Sequence, residues 1–419
     1  MLNEYTFKYG STSLTIPIID HTHFDVIQPP DIDGASNPIE EVRRALNSLL
    51  GNSFTKFLPG KNVAIAINDK TRPVPHQHLL PPLLEHLEHN GINRADITFY
   101  IATGTHASMQ AGEFSQVLPG TLSQQYRVVS HNCDEVESMV SLGKTSYGTP
   151  VFINGDYYRS DIRIVVGNIE PHHFMGFSGG VKTAAIGLTA RETININHSH
   201  LVNPEAKTGN YDTNPCRLDV EEIGSKIGIN YALNAILNSK KEIVRAFWGN
   251  PVDVMVKGVE LSTEICQVEV PRQYDAVVVS AGGYPKDINL YQAQKALTNA
   301  AEITRDGGDV YLIAACSEGA GNPLFVKFMD GVSSPKESYT KFIKEGFSVG
   351  PHKAFLISRI AARVNIYLLS NLDTRMVERL LFRPIVKEEL ERRIRSLPND
   401  KKLAIMPHGV VTIPHISGE

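Results

Sequence analysis

Two histidines, several glycines and a lysine share one stretch, GNIEPHHFMGFSGGVK, residues 167–182. Histidine exchanges protons near neutral pH, so His172 and His173 are candidate general bases. Lys182 is a cation suited to a carboxylate or phosphate. Gly176, Gly179 and Gly180 either let backbone approach a ligand or serve tight packing alone. The spacing is not the Gly-x-x-x-x-Gly-Lys-Ser/Thr of a P-loop. Adjacent side chains on an extended segment point opposite ways, so one of the two histidines is expected to face a site and His173 to pack away from it.

Other stretches carry groups of the same kind. NDKTRP (68–73) holds Asp69 and Arg72, TGTH (103–106) holds His106, and NINHSH (195–200) holds His198. NLYQAQKAL (289–297) holds Tyr291, Gln292 and Lys295, and the last two, three apart, fall on one helix face. Each also has a plain structural reading. Asp69 and Arg72 could pair across a turn. His106 could open a helix capped by Thr103 or Thr105. Lys182 could be a surface lysine, and His198 an exposed helix-end residue. His106, His172 and His198 could together hold a metal, although their spacing matches no zinc signature. Taken alone, these residue types describe an α/β enzyme with histidine bases, cationic anchors for an anionic ligand and a glycine-rich loop.

These groups need elements to position them. Short apolar, β-branched runs read as strands: NVAIAIND (62–69), ITFYIATG (97–104), YRVVSHN (126–132), DIRIVVGNIE (161–170), YDAVVVSAGG (274–283), GGDVYLIAAC (307–316), VNIYLLSN (364–371) and KLAIMPHG (402–409). Helical patterns lie near 76–90 and 290–305. The alternation predicts βαβ units and mainly parallel sheets covered on both faces. Ligands of such sheets sit beyond the carboxyl ends of strands, where the polar groups above are found. A chain of 419 residues exceeds one ordinary core, and CQVEVPRQYD (266–275) breaks the pattern. We therefore expect two α/β domains, 1–268 and 269–419, with the last segment returning to the N-terminal domain.

Composition narrows the partners. Lys plus Arg is 41 against 45 for Asp plus Glu, a net charge of −4, which argues against nucleic acid. The four cysteines form no C-x-x-C pair and read as reduced cytosolic thiols. No signal peptide or apolar membrane span is recognisable, so a cytoplasmic protein is expected.

In order along the chain, NDKTRPVP, ATGTH, EPHHFMGFSGGVK, the Asn-His at 197–198 and NLYQAQKAL resemble the nickel-dependent lactate racemase family, from about residue 60 to about residue 300 and more weakly beyond. The resemblance implies a racemase or epimerase of a small-molecule 2-hydroxy acid, working by reversible hydride transfer through a bound 2-oxo acid. It implies a nickel-pincer nucleotide (nickel pyridinium-3,5-bisthiocarboxylic acid mononucleotide), tethered to Lys182 and made by cofactor-synthesis enzymes. His198 would ligate nickel, and His106 and His172 would be the paired acid/base residues. Asp69, Gly179 and Gly180 would line the cofactor. Arg72, with Tyr291, Gln292 and Lys295 from the second domain, would hold the substrate in an interdomain cleft.

The family commonly has Lys-x-x-x-Pro-Gly after the tether, where KTAAIGL here has Ile186 before Gly187. That departure leaves the substrate open among lactate, a longer or branched 2-hydroxy acid, malate and a sugar acid. The family also walls the site with an aromatic residue of the second domain, for which PHKAFLIS (351–358) offers Phe355. The alternative is a metal-independent lyase or dehydrogenase on the same scaffold, with the histidines as bases.

Overall fold

The computed structural model describes residues 2–19, 24–51, 59–72 and 74–417; Pro73 of the NDKTRPVP motif lies outside them. The chain divides into two compact units, Asp31–Ile265 and a discontinuous one made of Met1–Pro30 with Cys266–Glu419. The division falls at 265/266, three residues before the boundary expected from sequence, and the first thirty residues go with the second unit.

The unit Asp31–Ile265 is built on six strands in the order Ile243–Gly249, Tyr231–Leu237, Ile162–Asn168, Val63–Asn68, Ile97–Ala102, Arg127–Ser130. All pairings are parallel except that of the edge strand Ile243–Gly249. The runs VAIAI and IRIVV lie in the middle of the sheet, buried on both faces, which is why they lack polar alternation. The helix His76–His89 covers one face with Leu79, Leu80, Leu83, Leu84 and Leu87. Trp248 belongs to the edge strand and stacks on Tyr231 with centroids 4.8 Å apart.

Strand order sets where a ligand can sit. From Val63–Asn68 the chain moves outward through two strands on one side, then returns to place Ile162–Asn168 on the other. The connections leave this strand pair in opposite directions and open a crevice beyond its carboxyl ends. Asp69 follows the first of these strands, and the His172–Lys182 loop follows the second.

The other unit carries six parallel strands in the order Arg383–Pro384, Asn365–Leu369, Thr304–Ile313, Tyr274–Ser280, Leu403–Met406, Phe24–Val26. The hairpin Leu2–Tyr9/Thr12–Ile19 places Phe7 and Ile16 in the core with Val278, Ile313 and Ile405. The hairpin is also held by polar contacts: Ser280 Oγ donates to Lys8 O at 2.9 Å and Gly10 N to Asp287 Oδ2 at 2.7 Å. The last segment stays in this unit, where Ile413–Ile416 pairs with Gln267–Val270. Among the described residues no helix is long and apolar enough to cross a membrane.

Candidate active site

Asp69 sits at the mouth of the crevice and is only 3% exposed. It accepts hydrogen bonds from the backbone N–H and hydroxyl of Thr71 at 3.1 and 2.7 Å, and one from His106 Nδ1 at 2.6 Å. Burial works to raise its pKa, but these hydrogen bonds and the charges of His106 and Arg72 outweigh burial and hold the carboxyl below its usual range. The carboxylate therefore turns to His106, and the turn to Arg72 is closed by backbone alone, Arg72 N to Asp69 O at 3.1 Å. Arg72 and His106 are themselves exposed. No helix begins at His106: residues 103–106 form a turn, with His106 N bonded to Thr103 O at 3.0 Å.

His172 and His173 depart from the expected alternation. Their rings stack with centroids 4.6 Å apart, on the same side of the chain. Only Pro171–His172 is extended, paired with Gly176–Phe177, and His173 already lies in the turn between them. Met175 N donates to His172 Nδ1 at 3.3 Å. Phe174 meets His172 at 4.8 Å, His173 at 4.7 Å and His198 at 5.1 Å between centroids, so His172 and His198 border one aromatic side chain. His198 is half-buried in the last turn of the helix Arg191–Ser199, and its Nδ1 lies 3.0 Å from Asn197 Oδ1.

The glycines of this loop are required by the protein's own packing. Gly176, Gly179 and Gly180 all have positive φ, at +69°, +86° and +57°. A Cβ would lie 1.8 Å from Asn210 O at Gly176, 2.5 Å from Ile169 Cγ1 at Gly179 and 2.4 Å from Met255 Cγ at Gly180. The loop is pinned from below by Asn234, whose Oδ1 receives Gly180 N at 2.6 Å, and by Arg217. Arg217 is fully buried, donates to Gly179 O at 3.1 Å and pairs with Glu221 four residues on.

Lys182 opens the short helix Lys182–Ala185 and is half-buried. Burial, reinforced by the positive charges of Arg72 and Arg217 and opposed by Glu170 and Cys216, brings its amine down to about 7. At neutral pH a large share of it is a neutral nucleophile rather than a solvated cation. Among the described residues no three His, Cys, Asp or Glu side chains group to hold a metal ion, so His106, His172 and His198 do not form a three-histidine cage.

In the other unit, Tyr291, Gln292 and Lys295 lie on the helix Leu290–Glu302, all half-buried. Tyr291 borders Lys353, whose ammonium nitrogen is 5.1 Å from the ring centroid and donates to Gln294 Oε1 at 2.9 Å. Lys353 is 1% exposed, and burial, with the charge of Lys295, drives its pKa far down. Phe355 is a core residue, with Tyr339 and Phe342 at 5.2 and 4.8 Å, and cannot wall a site.

Sequence reasoning overlooked Arg217, Asn197, Phe174 and Lys353. The i,i+4 spacing of Arg217 and Glu221 was a visible signal of a helix pair. The other three lie within stretches quoted above, but nothing local gave them a role.

Two parallel-sheet α/β units, one with a carboxylate-backed histidine and a lysine of lowered pKa at a topological switch point, have the build of an enzyme. Residues 9–209 match the lactate racemase N-terminal domain and residues 270–413 the lactate racemase C-terminal domain. The chain belongs to the lactate racemase family, a family of isomerases. It is 29% identical to the lactate racemase of Thermoanaerobacterium thermosaccharolyticum over 97% of each chain, and 29% identical to that of Lactiplantibacillus plantarum over 78% of each. The structure of the Thermoanaerobacterium lactate racemase apoprotein superposes with a TM-score of 0.89 at 27% identity, covering 99% of this chain and 100% of that one. A Thermotoga maritima protein, at 17% identity and a TM-score of 0.65 over 93% of this chain and 100% of its own, shares the fold.

Proposed function

We propose that the protein racemises or epimerises a small 2-hydroxy acid, with lactate the first candidate, using a nickel-pincer nucleotide tethered through Lys182. The observation that carries this proposal is the buried Asp69 carboxylate 2.6 Å from His106 Nδ1. A carboxylate there holds the proton on Nδ1, directs the basic Nε2 lone pair outward and stabilises the ring once it is protonated. In His172 the opposite holds: Nδ1 accepts from Met175 N, which leaves the proton of the neutral ring on Nε2, so proton exchange with a substrate falls to that Nε2. An acid/base pair of this kind suits a reaction whose hydroxyl group occupies different places in the two enantiomers. His106 takes the hydroxyl proton of one enantiomer, and His172 returns a proton to the oxygen when the planar 2-oxo acid has turned its other face. The roles exchange in the reverse direction. Arg72, exposed beside Asp69, offers a fork of donors for the substrate carboxylate. In this proposal Lys295, with Tyr291 and Gln292, also serves substrate binding.

The residues fit the implied cofactor. A neutral Lys182 amine can form a covalent bond that an ammonium cannot. Without a protein cage, a metal here needs a group that brings most of its donors, with His198 as the protein's own ligand. When bound, that group supplies reversible acceptance of the α-hydrogen as hydride.

The test uses protein co-produced with the cofactor-synthesis enzymes. Chiral chromatography of a 2-hydroxy acid panel should show inversion of at least one member, and intact mass should show an adduct that disappears in Lys182→Ala. His106→Ala and His172→Ala should each lose racemisation by about 10²-fold or more while remaining folded. Activity surviving both Lys182→Ala and nickel removal would overturn the proposal in favour of a metal-independent enzyme.

A further inference from the structure

A buried polar chain stands behind His198. Asn197, 0% exposed, donates through Nδ2 to Cys216 O at 3.0 Å and to Asp219 Oδ2 at 2.8 Å. A backbone carbonyl can only accept, so this end of the amide must be the NH₂ group. The opposite end, 3.0 Å from His198 Nδ1, is then the oxygen, and the ring must donate to it. The imidazole is thereby held with its proton on Nδ1 and, when neutral, its lone pair on Nε2.

Asp219 fixes the amide in turn. It is 0% exposed and also receives the hydroxyls of Thr145 at 2.6 Å and Thr149 at 2.8 Å; His200 Nε2 lies 3.9 Å away. A buried carboxylate is costly unless it is fully hydrogen-bonded. Here three donors from two separate segments converge on it, and Asn197 links it to His198. Metal-binding histidines characteristically donate their second N–H to such a partner, which sets both tautomer and ring orientation.

We propose that Asn197, held by Asp219, is the positioning residue that presents His198 Nε2 to a metal. This rests on His198 being the nickel ligand of the function proposed above. Asn197 touches neither substrate nor cofactor and acts only through the ring.

Two measurements test it. The first uses the cofactor-free protein labelled with ¹⁵N-histidine and recorded at pH about 8, above the usual histidine range. His198, assigned by the signal lost in His198→Gln, should show the Nδ1–H tautomer. The Nε2–H tautomer would overturn the proposal, and this arm requires no altered Asn197. The second compares wild-type protein with Asn197→Leu and Asp219→Asn, each co-produced with the cofactor-synthesis enzymes. All three should carry the Lys182 adduct by intact mass, but the variants should release nickel to a chelator about 10–100-fold faster. Wild-type release rates in both variants would overturn the positioning role. Absence of adduct and nickel from the wild type would instead overturn the function proposed above, with the tautomer still deciding the role of Asn197. If a variant fails to fold, the tautomer measurement decides alone.

Discussion

At the scale of single residues, the functional charge is set by burial and by neighbouring charges. Lys182 is the clearest case. Its amine is brought to about 7 by burial and by the charges of Arg72 and Arg217, against an ordinary lysine near 10.4. Because the shift is downward, the neutral amine becomes abundant as pH rises through about 7. In cofactor-free protein, pulsed acetylation read by mass spectrometry should modify Lys182 with a midpoint near 7, well before the surface lysines. Arg72→Ala should raise that midpoint and Glu170→Gln lower it; a midpoint near 10 in the wild type would sink the assignment. The sequence made Asp69 and His106 visible because each lies just past an apolar run, and Lys182 because it closes a glycine-rich stretch. The roles of Arg217 and Asn197 were illegible even where the residues were visible, since a buried arginine and a buried asparagine acquire their meaning from segments about 20 to 40 residues away, as in the contact of Arg217 with Gly179. The stacking of His173 on His172 was missed for a different reason: the strand rule applied there ends one residue too early.

At the scale of elements, the glycine loop is a packed layer. Its positive-φ residues allow the backbone to pass within van der Waals reach of Ile169, Met255 and Asn210. Gly180→Ala should lower unfolding free energy by about 1–3 kcal/mol, from left-handed backbone strain and the clash with Met255. Urea titration of Gly180→Ala, Met255→Ala and the double variant should show the double losing less than the sum of the singles. Strict additivity would mean that the loop shifts freely. The strands of the sheet centre were readable from sequence because burial on both faces erases polar alternation over runs such as IRIVV. The hairpin Leu2–Tyr9/Thr12–Ile19 was not, and neither was Tyr231–Leu237, whose Asn234 interrupts the apolar run in order to hold Gly180 N.

At the scale of the whole molecule, the two units are independent in core but not in sequence order. Phe7 and Ile16 are 1% and 0% exposed, and the strand Phe24–Val26 pairs with Leu403–Met406. Deleting residues 1–30 should therefore remove hydrogen-exchange protection from Leu403–Met406 while Ile162–Asn168 stays protected. Equal loss in both strands would show that the units share one cooperative transition. Composition and local patterning predicted two α/β halves but could not predict which half the first thirty residues join, because β-pairing between residues 24 and 403 leaves no local trace.

That pairing also has a consequence in time. On the ribosome the unit Asp31–Ile265 has all of its strands as soon as residue 265 emerges, whereas the opening hairpin must wait for strands made after residue 266. Throughout that interval Phe7 and Ile16 have no core to enter, and the hairpin is the natural target for a nascent-chain chaperone.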